Sequence, residues 1–172
     1  MSDQIDFEEQ EENKPRPGFL TVLCVLSFVS IGFGILMGLV NLAMGPSSAE
    51  QMLDAQVQMA DAINQVESSG MTSLSSLFEK LQRMSEDVND NFYLAGTLNL
   101  IIVLGGLYGV IKMFRGFRLG FHIYIIYCLV SIAAVYLYVS PANIPSGMII
   151  INVFLSGLFI FMYSRNLKWM KQ

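Results

Sequence analysis

Apolar residues fall in four long runs. Residues 17 to 49 carry no charge, and the core of that run, Gly18 to Met44, reads "GFLTVLCVLSFVSIGFGILMGLVNLAM". A helix crosses a bilayer with about 20 apolar residues, so this run suffices. It is too long for a signal-peptide core, lacks a basic segment at the very start and has no small-x-small cleavage site, so it is read as a retained span. The second run is Asn91 to Ile111, "NFYLAGTLNLIIVLGGLYGVI". The third is Phe121 to Val139, "FHIYIIYCLVSIAAVYLYV". The fourth begins at Met148 with "MIIINVFLSGLFIFMY" and extends to Ser164. Residues 119 to 164 would form a helix far longer than a membrane is thick, so they make two crossings. The turn between them is "SPANIPSG", 140 to 147, whose prolines and glycine reverse the chain. The expected fold is all-α: a polytopic membrane protein with four transmembrane helices.

The pattern changes in residues 46 to 90. Pro46, Ser48 and Gln51 predict a helix start, with Ser48 as cap and Gln51 three positions on. Met52, Met59, Ile63 and Val66 then recur at helical spacing. "SSGMTS" interrupts them, and Leu74, Leu77, Leu81, Met84 and Val88 resume at alternating steps of three and four. That is the rhythm of a coiled-coil seam. The segment is either a helical hairpin broken at Gly70 or a helix that runs unbroken into the second span. Each leucine gains about 1.5–3 kcal/mol on full burial, so the stripe needs a cover. Its cover is the 52 to 66 helix, a second copy, another partner or the membrane surface. The rest of the segment is net acidic, which disfavours a surface-lying membrane helix. Leu77 and Leu81 are therefore expected to be buried against protein.

Charge adds topology. All 14 acids lie in residues 3 to 12 or 50 to 90. Eight of the 10 basic residues lie before the first span, in the turn 112 to 120 around "RGFRLGF", or in the tail 165 to 172. Basic residues near span ends favour the cytoplasm. Lys112, Arg115 and Arg118 thus mark a cytoplasmic turn, and both termini are expected on that side. Residues 1 to 17 are acidic and closed by two prolines, the composition of a disordered leader. No basic patch interleaved with aromatics is present, so nucleic acid is not an expected partner.

Chemistry is sparse. Cys24 and Cys128 lie inside apolar runs, where cysteine behaves as a small hydrophobe. His122 is the sole histidine and has no carboxylate beside it, so neither a metal site nor a cofactor is expected. No serine in a span has a histidine and an acid arranged for catalysis, and the chain is not expected to be an enzyme. Asn99 and Asn152 are read as helix-packing side chains that hydrogen-bond between neighbours. Gly34 with Gly38, and Gly105 with Gly109, stand four apart and suit close helix approach.

Two stretches carry a resemblance. "RPGFLTVLCVLSFVSIGFG", Arg16 to Gly34, and "GLYGVIKMFRGFRLGFHIY", Gly106 to Tyr124, resemble small four-span inner-membrane proteins of unassigned function from Bacteroidota bacteria. Met113, Arg115 and Arg118 match their central turn in kind, and Gly120, Phe121 and Tyr124 match the start of their third span. Phe114 stands where those proteins carry tryptophan. The resemblance implies a bacterial cytoplasmic (inner) membrane and brings no catalytic residues. Together these readings point to a structural or accessory subunit that contacts lipid and either a second copy or another membrane-protein subunit. The competing reading is a transporter, channel or small-ligand binder, which requires Asn99, Asn152 and nearby tyrosines to line a polar cavity.

Overall fold

The structure is a computed structural model that describes residues 16 to 70 and 72 to 170, with the backbone alone at 72 and 73. The acidic leader up to Pro15 and the end of the basic tail at Lys171 lie outside the described residues. The described residues form six α-helices and no β-strand. They are α1 (Gly18–Met44), α2 (Ala49–Ser68), α3 (Thr72–Asp90), α4 (Phe92–Phe114), α5 (Arg118–Ala134) and α6 (Ser146–Ser164). Helix α5 is prolonged by a 3-10 turn, Val135–Leu137, and a second 3-10 turn covers Pro141–Asn143. Helices α1, α4 and α6, together with α5 and its extension, are long and apolar enough to cross a membrane.

The four long helices alternate in direction, so the start of α1, the α4–α5 turn and the end of α6 meet at one end of the bundle. There the Arg16 guanidinium lies 3.7 Å from the Phe114 ring centroid and 6.0 Å from that of Trp169. Arg118 Nε donates to the Met170 carbonyl oxygen at 2.9 Å. The hairpin α2–α3 stands at the opposite end.

The basic turn is tighter than the charge pattern predicts. Helix α4 runs through Lys112 to Phe114, and α5 starts at Arg118. Long basic side chains at helix ends can lay their stems along apolar surface, so charge does not end a span. Lys112 Nζ lies 5.4 Å from the Tyr108 ring centroid and 5.1 Å from that of Phe117. Gly116 does end it: its φ of +87° is a left-handed conformation that only glycine adopts cheaply.

Helix α4 packs most extensively on α5 and next on α1. Glycine sets these distances. A Cβ at Gly38 would stand 2.8 Å from Leu100 Cδ2, and one at Gly109 would stand 3.2 Å from the Gly120 carbonyl oxygen. Gly105 differs from its expected role. Nothing lies within 4 Å of a Cβ there, and Gly106 meets the Tyr127 ring instead. Positions 106 and 109 share the face turned to α5, whereas position 105 lies at its edge, about 40° from 109 and about 100° from 106.

The core lies between α1, α4, α5 and the end of α6. Leu20, Leu23, Cys24, Val110, Met113 and Tyr163 are almost wholly enclosed. Tyr163 shares a hydrogen bond with Ser27, Oη to Oγ 2.9 Å, and its ring packs edge-on to Tyr124 at 5.1 Å. Both cysteines are free thiols in this core. Tyr163 is also the only buried residue of α6, which leaves Ile150, Ile151, Phe154 and Phe161 facing outward.

Candidate interaction surface

Helix α2 starts as the sequence directs. Ser48 Oγ accepts from Gln51 N at 3.2 Å, while Gln51 Oε1 accepts from Ser48 N at 3.0 Å. Reciprocal capping satisfies two backbone donors that a helix start otherwise leaves open. The chain turns at Gly70, φ +80°, and α3 returns antiparallel toward the bundle. Helices α3 and α4 are then separated by Asn91 alone. The Ala95 N–H still donates to the Asn91 carbonyl at 2.9 Å, so the interruption is slight. The two arrangements left open by the sequence therefore coexist: a hairpin at Gly70, and an almost continuous rod from α3 into α4.

The face that α3 turns to α2 carries polar contacts. Gln56 Nε2 donates to Glu86 Oε1 at 2.9 Å, and Ser47 N donates to Asn89 Oδ1 at 2.8 Å. Asn89 follows Val88 by one residue, about 100° around the helix. The apolar stripe consequently points elsewhere. Its membrane-proximal members, Met84 and Val88, pack on Val135, Val139 and Ile144 from the end of α5 and the α5–α6 turn. Its distal members are only partly covered by the described residues. Leu74 is 40% exposed, and Leu77 and Leu81 are each 37% exposed. The expectation that the 52 to 66 helix buries Leu77 and Leu81 is corrected here: both stay 37% exposed, and Gln56 of α2 bonds to Glu86 on another face of α3.

Polar contacts lock the base of the hairpin. Asp87 Oδ2 accepts from Ser140 N at 2.9 Å and from Asn143 Nδ2 at 2.8 Å. Asn91 Nδ2 donates to the Tyr138 carbonyl at 3.2 Å. Sequence reasoning missed this clamp. Asp87 resembles any solvated acid of α3, and the only signal was the run of hydrogen-bonding groups in "SPAN".

The clamp has a pH signature. The Asn143 amide and the Ser140 N–H hold the Asp87 carboxyl below its ordinary range. A carboxyl whose folded pKa is depressed adds stability above its unfolded pKa of about 3.9, and that share is lost as pH falls through the folded value. Hydrogen exchange at the Met84 to Asn91 amides is expected to accelerate below that pH beyond its intrinsic trend. Asp87→Asn should show faster exchange at neutral pH and a flatter acid response. Identical profiles for parent and variant would remove Asp87 from the clamp.

The remaining sequence candidates are dispersed. Asn152 Nδ2 donates to Met148 O of its own helix at 2.9 Å, so it does not bridge helices. Asn99 is exposed on α4, with Nδ2 3.9 Å from where a Cβ of Gly38 would stand. A cleft of about 540 Å³ lies at the hairpin end, and neither Asn99, Asn152 nor any tyrosine lines it. Among the described residues no group of three or more His, Cys, Asp or Glu could hold a metal ion. No protein-family model, curated protein or solved structure matches the chain.

Proposed function

We propose that this chain is a structural or accessory subunit of an assembly in a bacterial cytoplasmic membrane, and that it presents the outer hairpin to a protein partner. The observation that carries the reading is the open stripe Leu74, Leu77 and Leu81 on a helix that is clamped at its base. A rigid helix loses little conformational freedom on docking, and exposed clustered leucines mark contact surfaces. The bacterial setting rests on the resemblance of Arg16 to Gly34 and Gly106 to Tyr124.

The test is the double variant Leu77→Ser, Leu81→Ser. About a third of each side chain remains to be covered. Removing both should therefore cost about 1–2 kcal/mol of association, roughly a tenfold weakening. The complex extracted in mild detergent is expected to shift to a smaller size, and protease should cut the hairpin faster. Unchanged size and unchanged cleavage would refute the reading.

In the proposed topology the Arg16, Lys112, Arg115, Arg118, Arg165 and Lys168 end faces the cytoplasm, and the hairpin faces outward. Ser68→Cys should react with an impermeant thiol reagent added to intact cells, whereas Lys168→Cys should not. The native cysteines are buried and stay silent. The reverse labelling pattern would invert the topology.

A further inference from the structure

The outer cleft lies where α1 ends, α2 begins and α3 meets α4. Its wall is made of uncharged groups: Asn41, Ser47, Gln51, Ser85 and Asn89 supply amides and hydroxyls, and Met44, Met52, Val88 and Phe92 supply apolar surface. Met44 closes one long apolar helix and Phe92 opens another. The cleft therefore sits at the outer boundary of the bilayer, at the depth of lipid headgroups. Helix α1 has 27 residues, about 40 Å of rise against a hydrocarbon core of about 30 Å, so its last turns reach that boundary.

Two of the amides here are already committed. Gln51 caps α2, and Asn89 accepts from Ser47 N. Asn41 differs. It is exposed, and among the described residues its side chain has no hydrogen-bond partner. The same holds for Asn99, which lies beside Gly38, one helical turn below Asn41. Asn99 stands seven residues into α4, about 10 Å below its start. An amide without a partner in hydrocarbon costs several kcal/mol. A polar ligand at this depth would remove that cost.

Charge narrows its chemistry. Among the described residues no ionisable side chain lines the cleft, and Glu50, Glu86, Asp87 and Asp90 adjoin its lining residues in sequence. Residues 50 to 90 hold eight acids against two basic residues, so an anionic headgroup would meet repulsion. Hydroxyls both donate and accept, as amides do. We propose that the cleft binds an outer-leaflet lipid with an uncharged, hydroxyl-rich headgroup, whose glycerol and acyl chain run down the outside of α1 and α4 past Asn99. This site stands independently of the assembly reading, since the open leucines Leu74, Leu77 and Leu81 do not line it.

The test uses the full chain in phosphatidylcholine nanodiscs doped with equal small fractions of monogalactosyl diacylglycerol and phosphatidylglycerol. Lipid retained by the protein is quantified by native mass spectrometry. The galactolipid is expected to be enriched about tenfold over its bulk ratio, equivalent to about 1.4 kcal/mol. Phosphatidylglycerol should show no enrichment. Asn41→Leu removes the open amide at an exposed site, and Met52→Trp fills the cleft; each should return the galactolipid to its bulk ratio. Asn152→Leu, an exposed amide bonded within its own helix, should leave the enrichment unchanged. The proposal is overturned by an absence of galactolipid enrichment, by equal enrichment of phosphatidylglycerol, or by enrichment that survives both cleft variants. A lipid-free dimer would also overturn it, with the second copy as the occupant of the cleft.

Discussion

Gly120→Ala is expected to lose about 3 kcal/mol of stability, at the upper end of overpacking costs. A Cβ at Gly120 would stand 2.5 Å from the Gly109 carbonyl oxygen and would also collide with the Met113 backbone nitrogen. Both obstacles are main chain, so no rotamer change relieves them. The helices α4 and α5 must separate, and this pair forms the most extensive packing in the bundle. Alanine's better helix propensity, worth about 1 kcal/mol in water, does not offset that. Gly105→Ala is the matched control, because open space surrounds it. It should stay within about 0.5 kcal/mol of the parent. Unfolding in mild detergent by titrated sodium dodecyl sulfate would compare the two. Equal midpoints would show that the α4–α5 approach is looser than the geometry states.

The spans were legible because each is a long run without charge, and no soluble packing tolerates four such runs. Their ends were less so. Lys112 and Arg118 look like loop residues, yet both are helical, and the reversal is made by the three residues around Gly116. Periodicity likewise identified the α3 stripe but not what it meets. A seam written in hydropathy says which face is apolar. It is silent on whether a neighbouring helix is held by another face, as Glu86 holds Gln56 of α2 and Asn89 holds Ser47 just ahead of it. The glycines show the same limit. Positions 105, 106 and 109 are all compatible with close packing until the azimuth of the helix is known. Asn41 carried no distinguishing signal, because an amide near the end of a span reads equally as interhelical glue or as a ligand contact.

The hairpin is joined to the bundle through the α5–α6 turn. Met84 and Val88 rest on the α5 extension and that turn, and Asp87 and Asn91 bond to it. Leu77 and Leu81 thus stand on a helix whose base packs on Val135, Val139 and Ile144, just ahead of α6. A partner docked on the stripe would bear on the span that is least embedded in the bundle.

That weakly embedded span yields the second large effect. Tyr163 is the single buried residue of α6 and is fully enclosed. Its ring packs on Tyr124, and its hydroxyl shares a hydrogen bond with Ser27 on α1. Tyr163→Ala removes both, and truncating a buried aromatic typically costs about 3–5 kcal/mol. Tyr163→Phe keeps the ring and loses only the hydrogen bond, which within membranes averages about 0.6 kcal/mol and reaches about 2 kcal/mol. Lipid tails are as apolar as the outer face of α6, so no hydrophobic force returns a loosened α6 to the bundle. The measurement uses a protease site inserted between Pro145 and Ser146. After cleavage in mild detergent, the α6 fragment of the parent should co-elute with the remainder, as should that of Tyr163→Phe. The α6 fragment of Tyr163→Ala should separate. Co-elution of the alanine variant would mean that the partly buried Phe159, Ile160 and Met162 hold α6 without the peg, and the role assigned to Tyr163 would fall.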